Sequence, residues 1–148
     1  MITKHIKLLC VLIGLSGLLP PGTAQAFVGV VKTVAGEAFI QRQHEKIDVA
    51  AGMEIQTADI VTTGSAGYVG LVFSDDTLIS MGPRTEITID EYLFEPREKK
   101  LSFILRLVRG TLSFISGQMA KLSPESVQLI MPAATIGVRG THVLMKAD

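Results

Sequence analysis

Apolar and polar residues alternate with a period of two over most of this chain, or form short apolar runs bounded by Gly, Asp, Ser and Pro. A period of two is typical of strands with one buried face, whereas the helical period of 3.6 residues is nearly absent. Roughly ten short strands are predicted, with turn residues between them. The pattern therefore predicts an all-β fold, a single compact β-sandwich or β-roll.

The alternation is clearest in the second half of the chain. Ile87 and Ile89 point to one face of a predicted strand, and the polar residues around them point to the other. Further on, the pattern predicts two separate strands, over residues 101–108 and 112–115. The segment 117–126 is interpreted as the longest polar loop.

The segment 68–81 predicts a hairpin with apolar residues on both faces. If Asp75 and Asp76 form a two-residue loop, Phe73 faces Leu78 across the hairpin. Because both faces are apolar, we expect the hairpin to lie at the centre of the fold, covered on both sides.

The N-terminus has the features of a secretory signal peptide. A basic segment precedes an apolar run over residues 8–19, and Ala24 and Ala26 form a small-x-small cleavage site. A spanning helix needs roughly 20 apolar residues, so an uncleaved membrane anchor is the weaker alternative. We interpret residues 1–26 as the signal peptide and residues 27–148 as the domain. The expected protein is periplasmic or secreted, with no stable membrane insertion after cleavage.

Composition narrows the class of protein. Cys10, the only cysteine, lies in the predicted signal peptide, so the mature domain has no disulfide and relies on an ordinary core. Loss of Lys4 and Lys7 from the 14 basic residues leaves a slight excess of the 14 acidic ones. A weakly acidic domain without a basic stripe is not expected to bind nucleic acid.

Few residues of the predicted mature domain are suited to catalysis. Its histidines are His44 and His142, and it contains no cysteine. A catalytic triad would need His142 beside a serine and a carboxylate, and no nucleophile-elbow motif occurs. The glycine-rich segment 64–67 is followed by neither a lysine nor a predicted helix, so it is not a phosphate loop. The sequence predicts a protein that is not an enzyme and has no cofactor.

Asp75 and Asp76 are the best candidates for metal ligands. Ser74 and Thr77 add oxygen donors, but a calcium site uses six or more oxygens with glycine at its sharp turn. Aspartate also tolerates a left-handed backbone and hydrogen-bonds its own chain in tight turns. We therefore interpret the pair as a turn and predict no metal site.

The segment 134–143 is predicted to be a β-strand, although it contains Gly137 and Gly140. Glycine inside a strand usually marks a bulge, a bend or a close backbone approach. Arg139 has two interpretations: a buried residue that locks two sheet edges through backbone carbonyls, or an exposed residue that binds a carboxylate or phosphate. The buried lock is favoured. The candidate binding residues are Gly137, Arg139, Gly140 and Thr141.

Taken in order, these motifs resemble a FecR-type domain. The resemblance runs from about Val28 to Met145, and it rests on the order and spacing of short motifs more than on any one of them. The motifs are Gly29-Val30-Val31, Val34-Ala35-Gly36, Ala51-Gly52, Asp59-Ile60-Val61-Thr62-Thr63-Gly64, Val69 to Phe73, Asp75-Asp76-Thr77-Leu78, Leu107-Val108-Arg109-Gly110-Thr111-Leu112 and Ile136-Gly137-Val138-Arg139-Gly140-Thr141.

The chain departs from the family pattern at two positions. Ala58 stands where the family commonly has the glycine of its Gly-Asp-x-Val-x-Thr stretch, and Asp76 stands where it commonly has the glycine of an Asp-Gly hairpin. Replacing glycine at a position of positive φ costs stability, so a turn of another type is expected as an alternative there.

The resemblance implies a non-enzymatic, β-rich domain of the cell envelope. In regulatory members of the family, such a domain senses the occupied state of an outer-membrane iron-chelate receptor. The signal then passes through a membrane helix to a cytoplasmic anti-sigma segment. This sequence predicts neither the helix nor the cytoplasmic segment, so we do not expect it to signal across the membrane by itself.

Three hypotheses follow, and the first is favoured. In the first, the domain is an exported binding or scaffold module whose exposed strand edges take up an envelope protein partner. In the second, it is a periplasmic regulatory component of iron-uptake signalling that works through a separate membrane protein. In the third, it is a small carbohydrate-binding domain or enzyme that uses Arg139 and His142.

Overall fold

The structure is a computed structural model that describes residues 26–140 and 142–148. The rest of the predicted signal peptide, with Ala24 of its cleavage site, and the candidate residue Thr141 lie outside these residues. The described chain forms twelve strands, rather than about ten, and one short α-helix. They are β1 (Phe27–Ala35), β2 (Ala38–Arg42), β3 (Glu45–Asp48), β4 (Glu54–Gln56), β5 (Ile60–Thr63), β6 (Tyr68–Phe73), β7 (Leu78–Met81), β8 (Glu86–Glu95), β9 (Lys100–Ile115), α1 (Gln118–Leu122), β10 (Val127–Met131), β11 (Ala134–Gly137) and β12 (His142–Ala147).

The twelve strands form one continuous, mostly antiparallel sheet with two parts that share a core. The first part, sheet I, has the strand order β4-β1-β6-β7-β9-β12, and the second, sheet II, has the order β3-β2-β5-β8-β9-β10-β11. The long strand β9 belongs to both. Among the described strands, β9 and β10 are the parallel pair. The predicted all-β fold class is confirmed, and the architecture is a curled β-roll.

The core lies between sheets I and II and is built from alternate residues of their strands. As predicted, Ile87 and Ile89 of β8 are fully buried, and so are Leu105 and Leu107 of β9. Leu71 of β6 is buried from the side of sheet I. Each such side chain stabilises the fold by roughly 1.5–3 kcal/mol, which agrees with a domain that depends on hydrophobic burial.

The segments 101–108 and 112–115 belong to one strand of 16 residues, so the prediction of two separate strands was wrong. The strand passes from sheet II to sheet I through Gly110, whose φ of +95° lies in the left-handed region. A Cβ at this position would stand 2.5 Å from the Thr85 Cα. A single glycine therefore bends the strand while both halves keep their pairing.

Strands β6 and β7 form the expected hairpin, but in a different register. Val72 pairs with Leu78, so Phe73 does not face Leu78 as predicted. The Phe73 N–H instead donates to the Thr77 carbonyl at 2.9 Å, which leaves a three-residue loop. The cause is Asp76, whose φ of +66° supplies the left-handed residue of such a loop.

Ala58 and Asp76, the two departures from the family's glycines, keep positive φ values of +71° and +66°. Both positions therefore keep the left-handed conformation that glycine adopts most easily, and the β6–β7 loop has three residues in place of two. Asp76 is assisted by its side chain, since Oδ2 accepts a hydrogen bond from Gln118 Nε2 at 2.7 Å. The methyl side chain of Ala58 cannot form such a bond, so its backbone is strained.

The β6–β7 hairpin has one covered face and not two. Leu71 and Ile79 are buried in the core, whereas Tyr68 and Ser80 are exposed on the opposite face of sheet I. Val72 lies half-buried on that exposed face. The expectation was wrong because an apolar residue on a strand does not require a second layer above it.

The segment 117–126 is not a polar loop. It contains α1, followed by a single 3₁₀ turn over Pro124–Ser126. Met119 and Ala120 of the helix are buried in the core. A helix of five residues is too short to show a hydrophobic period, which is why the pattern did not predict it.

The segment 134–143 is not one strand either. β11 ends at Gly137 and pairs with β10 in sheet II, whereas β12 begins at His142 and pairs with β9 in sheet I. A Cβ added at Gly137 or Gly140 would meet no atom within 4 Å, which excludes the close approach among the three alternatives of a bulge, a bend and a close approach. The segment between them connects the edge of one sheet to the edge of the other.

Candidate binding site between β11 and β12

Most polar residues of the motifs hold the fold together. Asp59 is almost fully buried and accepts hydrogen bonds from Arg42 Nε and Nη2 at 2.8 and 2.7 Å. Arg42 on β2 also donates to the Glu54 carbonyl of β4 at 3.0 Å, which joins sheet II to sheet I. The hydrogen bonds to Asp59 raise the pKa of Arg42 above its usual value. The Arg42–Asp59 ion pair is therefore a structural clamp.

The Asp75 carboxylate is fully buried and accepts four hydrogen bonds. Oδ1 accepts from the Thr77 N–H at 3.2 Å and the Tyr92 hydroxyl at 3.1 Å, and Oδ2 accepts from the Thr77 hydroxyl at 2.8 Å and the Met119 N–H at 3.2 Å. Burial and the Asp75 charge raise the pKa of Tyr92. The turn interpretation of Asp75 and Asp76 is confirmed, and the bond to α1 adds a role that the sequence did not indicate.

Three threonines join the two sheets where β9 bends. Thr63 Oγ1 donates to the Gly82 carbonyl at 2.7 Å and accepts from the Thr85 N–H at 2.9 Å. Thr85 Oγ1 in turn accepts from the Thr111 N–H at 3.0 Å. Thr63 and Thr111, each from a different motif, therefore form hydrogen bonds within the fold that stabilise it.

The last motif is different, because its arginine and glycines lie on the surface. Val138 is buried and anchors the connection, and the Ser116 hydroxyl donates to the Gly140 carbonyl at 2.8 Å. Arg139 is exposed, and within residues 26–140 and 142–148 its side chain forms no ion pair. The interpretation of Arg139 as a buried lock was therefore wrong. A ligand-binding role for Arg139, Gly137 and Gly140 stays a prediction.

Arg139 lines an open groove of about 620 Å³ between this connection and the turn at Pro124–Ser126. Ile136 and Val143 form apolar parts of its wall, and Glu125 adds a carboxylate. The exposed Glu125 carboxylate is ionised at neutral pH, and a hydrogen bond from Ser123 lowers its pKa further. We call this feature the Arg139 groove. It presents one positive and one negative group beside an apolar wall.

The Arg139 groove adjoins β12, an edge strand of sheet I. The other three edges carry features that block pairing with another chain. β3 has Glu45, Lys46 and Asp48 among its four residues, β4 has only three residues, and β11 has only four. β12 has six residues, with Lys146 as its only permanently charged side chain. Of the four edges in the described structure, β12 is therefore the least protected.

His142, the first residue of β12, lies beside Ser113, with 2.8 Å between Nε2 and Oγ. A nucleophilic site would need this pairing and a carboxylate on the other ring nitrogen. Within the part of the chain that the structure describes, no carboxylate hydrogen-bonds to His142. His44 is far from this pair in sequence and lies exposed in the turn between β2 and β3, with φ +70°.

The described residues contain no group of three or more His, Cys, Asp or Glu side chains placed to hold a metal ion. They also contain no helix of the length and apolar character needed to cross a membrane.

The fold and its motifs define a small all-β domain in which buried polar residues tie two sheets together around one core. A family model described as FecR protein matches residues 59–148, well over half of the chain. The chain belongs to the FecR family. FecR domains are associated with periplasmic regulators of iron uptake, and the proteins that carry them typically face the periplasm. No curated protein and no solved structure matches this chain.

The match begins at Asp59, whereas the folded unit begins earlier. β1 pairs with β6, and β2 pairs with β5, so both early strands belong to the same sheets as the matched segment. Sequence analysis missed Ser116, Glu125 and the free edge of β12. The alternate positions of Val143 and Met145 are typical of a strand. Only the three-dimensional pairing shows that this strand, β12, bonds to β9 along one edge and, among the described strands, has none along the other.

Proposed function

We propose that this protein is a non-enzymatic binding module of the cell envelope, and that a partner protein adds an extended segment to the free edge of β12. The observation that carries this proposal is the contrast between β12 and the other three sheet edges. In strand addition, main-chain hydrogen bonds supply affinity and side-chain pockets supply specificity. The six residues of β12 offer main-chain groups for these hydrogen bonds, and the Arg139 groove offers a pocket for a side chain of the partner.

The Arg139 groove supports a particular chemistry for the partner segment. A segment that lies along β12 passes Val143, which shares the groove with Arg139. An acidic side chain at that point would pair with the guanidinium through two parallel hydrogen bonds. Glu125 in the same groove disfavours a second acidic side chain by charge repulsion. The partner segment is therefore an extended one with a single acidic residue among alternating apolar residues.

A photo-cross-linking residue at Gly137 tests the proposal in cells that export the protein. A Cβ added at Gly137 meets no atom within 4 Å, and the position is exposed, so we expect a side chain introduced there to project into solvent without disturbing the fold. We expect an adduct with an envelope protein at this position and none at Glu98, an exposed control position in the turn after β8. Arg139→Glu should reduce the yield of the adduct.

The cross-linked partner peptide then identifies the mode of binding. When this peptide is added to the purified protein, hydrogen exchange should slow in β12 and stay unchanged in β3. Adducts of equal yield at both positions, or slowed exchange confined to strands other than β12, would contradict strand addition at this edge.

A second candidate function is a periplasmic regulatory component of iron-uptake signalling that acts through a separate membrane protein. Membership of the FecR family supports it. Deletion of the gene should abolish induction of an outer-membrane iron-chelate receptor when the cells receive the ferric chelate, and a plasmid copy should restore it. Unchanged induction in the deletion strain would exclude this role and leave the binding module standing.

The third hypothesis, a carbohydrate-binding domain or small enzyme, depends on the Ser113–His142 pair and on Arg139. We regard the pair as a surface hydrogen bond, since His142 is exposed. His142→Ala and Arg139→Ala are each tested for glycan binding and hydrolysis beside the wild-type protein. Activity in the wild type that either variant loses would favour this hypothesis over the binding module.

A further inference from the structure

The hydrogen-bond pattern of sheet I determines which main-chain groups of β12 point to its free edge. In an antiparallel pair, hydrogen-bonded residue pairs alternate with pairs that are not hydrogen-bonded, and the N–H and carbonyl of one residue point to the same neighbouring strand. The Gly82 N–H, just after β7, donates to the Thr111 carbonyl at 3.1 Å, so this carbonyl points towards the β7 side. The main-chain groups of Leu112, the next residue, therefore point towards β12, where Leu112 pairs with Met145.

The hairpin between β6 and β7 leads to the same pattern from another starting point. The Phe73 N–H donates to the Thr77 carbonyl at 2.9 Å, so the main-chain groups of Leu78, the next residue, point away from β6 and towards β9. Leu78 pairs there with Ile115. The residue before Ile115 consequently bonds to β12, where it faces Val143. Neither the β7–β9 nor the β9–β12 pairing contains a register shift, so the alternation holds along both.

The main-chain groups of His142, Leu144 and Lys146 therefore point to the free edge of β12. Val143 and Met145, which alternate with them, are bonded to β9. Each of the three outward-pointing residues offers one N–H and one carbonyl to an added strand, since none is proline. Their side chains lie on the outer face of sheet I, the face turned away from the core, because Met145 is buried in the core and side chains alternate along a strand.

An added strand also places its side chains in fixed surroundings, because each lies beside the side chain of the residue that it faces. A side chain opposite Val143 lies on the core side, next to the Arg139 groove that Val143 lines. A side chain opposite Met145 lies on the same side, at the rim of the core to which Met145 belongs. A side chain opposite Leu144 lies on the outer face. The two sides of the partner segment therefore meet different chemistry.

Leu144 is an apolar side chain that the fold leaves in solvent. Its exposure of 75% is the highest among the large apolar side chains of the described residues. An apolar side chain on the facing residue of an added strand would cover it, since directly opposite residues have Cβ atoms about 4.5–5.5 Å apart. Strand addition therefore removes apolar surface from water at this position, which favours binding.

We propose that Leu144 is a specificity-determining residue of the β12 edge, and that this edge selects three consecutive residues in the partner segment, one acidic and two apolar. The acidic residue faces Val143 and reaches Arg139, the central apolar residue covers Leu144, and the other apolar residue faces Met145. The acidic residue comes first of the three if the added strand runs parallel to β12, and last if it runs antiparallel. This selection depends on the proposed strand addition and adds to it a register and a second recognised face.

Two proline substitutions test the hydrogen-bond pattern in the protein alone. Proline lacks an N–H, and an edge strand tolerates it where that N–H would point to solvent. Leu144→Pro should therefore melt close to the wild type, whereas Val143→Pro removes an N–H that bonds to β9 and should lower the melting temperature by more than about 10 °C. Equal destabilisation by the two, or a greater loss with Leu144→Pro, would overturn the assignment of the outward-pointing residues.

Affinity for the partner peptide tests the role of the Leu144 side chain. The probe is a synthetic peptide with the sequence recovered from the Gly137 adduct, and calorimetric titration gives its dissociation constant. Leu144→Ser should raise that constant about tenfold, and Leu144→Pro should raise it further, because it also removes an N–H that bonds to the added strand. Leu93→Ser is the matched control and should bind as the wild type does, because Leu93 is an exposed leucine of β8 in sheet II.

The outcomes separate selection by Leu144 from strand addition itself. An unchanged dissociation constant for Leu144→Ser, an equal effect of both leucine-to-serine substitutions, or an adduct peptide without an acidic residue next to two consecutive apolar ones overturns the selection. Hydrogen exchange in β12 that still slows with the same peptide would then leave strand addition standing. Absence of both the Gly137 adduct and the slowed exchange would contradict the proposed function and the selection together.

Discussion

The Tyr92 hydroxyl of β8 donates a hydrogen bond to the Asp75 Oδ1 at 3.1 Å and accepts one from the Asp75 N–H at 3.0 Å. Asp75 lies in the loop between β6 and β7 of sheet I, and Tyr92 lies in sheet II. The other carboxylate oxygen accepts from the Met119 N–H of α1. One buried side chain thus connects the two sheets and the helix.

Replacing Asp75 with asparagine should destabilise the protein by about 2–4 kcal/mol. The amide group offers one oxygen acceptor in place of two, so donors such as the Thr77 hydroxyl or the Met119 N–H lose their partner. The free energy of unfolding in urea measures the loss. Asp76→Asn is the matched control, since Asp76 is exposed and asparagine also tolerates positive φ. Equal losses in the two variants would contradict the role of Asp75.

Ala58→Gly should stabilise the fold by about 1 kcal/mol. Ala58 has a φ of +71°, and glycine adopts this conformation without the steric cost that a Cβ brings. Ala66→Gly serves as the control, because Ala66 lies in a turn but is not among the residues of positive φ. Thermal and urea unfolding should show a gain for Ala58→Gly and a small loss for Ala66→Gly. A loss at both positions would rule out strain at Ala58.

Gly110→Ala should destabilise the domain by more than about 3 kcal/mol, or prevent folding. The new Cβ would stand 2.5 Å from the Thr85 Cα, and the φ of +95° adds backbone strain. Gly137→Ala is the control, because its Cβ would meet no atom within 4 Å. The yield of folded protein and the urea midpoint distinguish the two variants. A Gly110→Ala protein as stable as the control would show that β9 does not depend on glycine at its bend.

The raised pKa of Tyr92 predicts a loss of stability at alkaline pH. An unfolded tyrosine ionises near pH 10, whereas the buried Tyr92 stays protonated to higher pH. The unfolded chain therefore binds fewer protons above about pH 10, and the stability from this tyrosine is present in full below that pH and decreases above it. The stability difference between wild type and Tyr92→Phe should narrow progressively as the pH rises above about 10.

The narrowing is measured by urea unfolding at each pH. Tyr68→Phe controls for the loss of a hydroxyl group, because Tyr68 on β6 is exposed. A difference between wild type and Tyr92→Phe that stays constant with pH would contradict a raised pKa for this group.

Two arginines should respond in opposite ways to truncation. Arg139→Ala should change the free energy of unfolding by less than about 0.5 kcal/mol, because the side chain is exposed. Arg42→Ala should cost about 3 kcal/mol, because it leaves the buried Asp59 carboxylate without its partner. In the partner cross-linking experiment, Arg139→Ala should reduce the yield of the adduct, although it leaves the stability of the protein unchanged. A large stability loss at Arg139 would show that its role is structural.

The sequence was most informative where local pattern and burial agree. The alternation at Ile87 and Ile89 predicted the buried face of β8, because one polar and one apolar face leave a single way to place the strand. The resemblance to the FecR family, carried by motifs in a fixed order, is confirmed by the match over residues 59–148.

The sequence pattern did not predict the structure of segments whose conformation depends on contacts with distant parts of the chain. The hairpin register depended on the φ of Asp76, and the continuity of β9 depended on how Thr85 packs against Gly110. α1 is too short for a hydrophobic period, and it is held in place by a hydrogen bond to Asp75, 44 residues earlier in the chain.

The sequence by itself determined the strand-rich composition of the fold, the inward-facing residues of most strands and the family, because these follow from local periodicity and motif order. Only the tertiary structure excluded the role of Arg139 as a buried residue that locks two sheet edges together. Its segment passes from sheet II to sheet I with Val138 buried and Arg139 in solvent, so it cannot lock two edges. The exposure of an edge or a face depends on which strands pair, and pairing joins residues far apart in the chain.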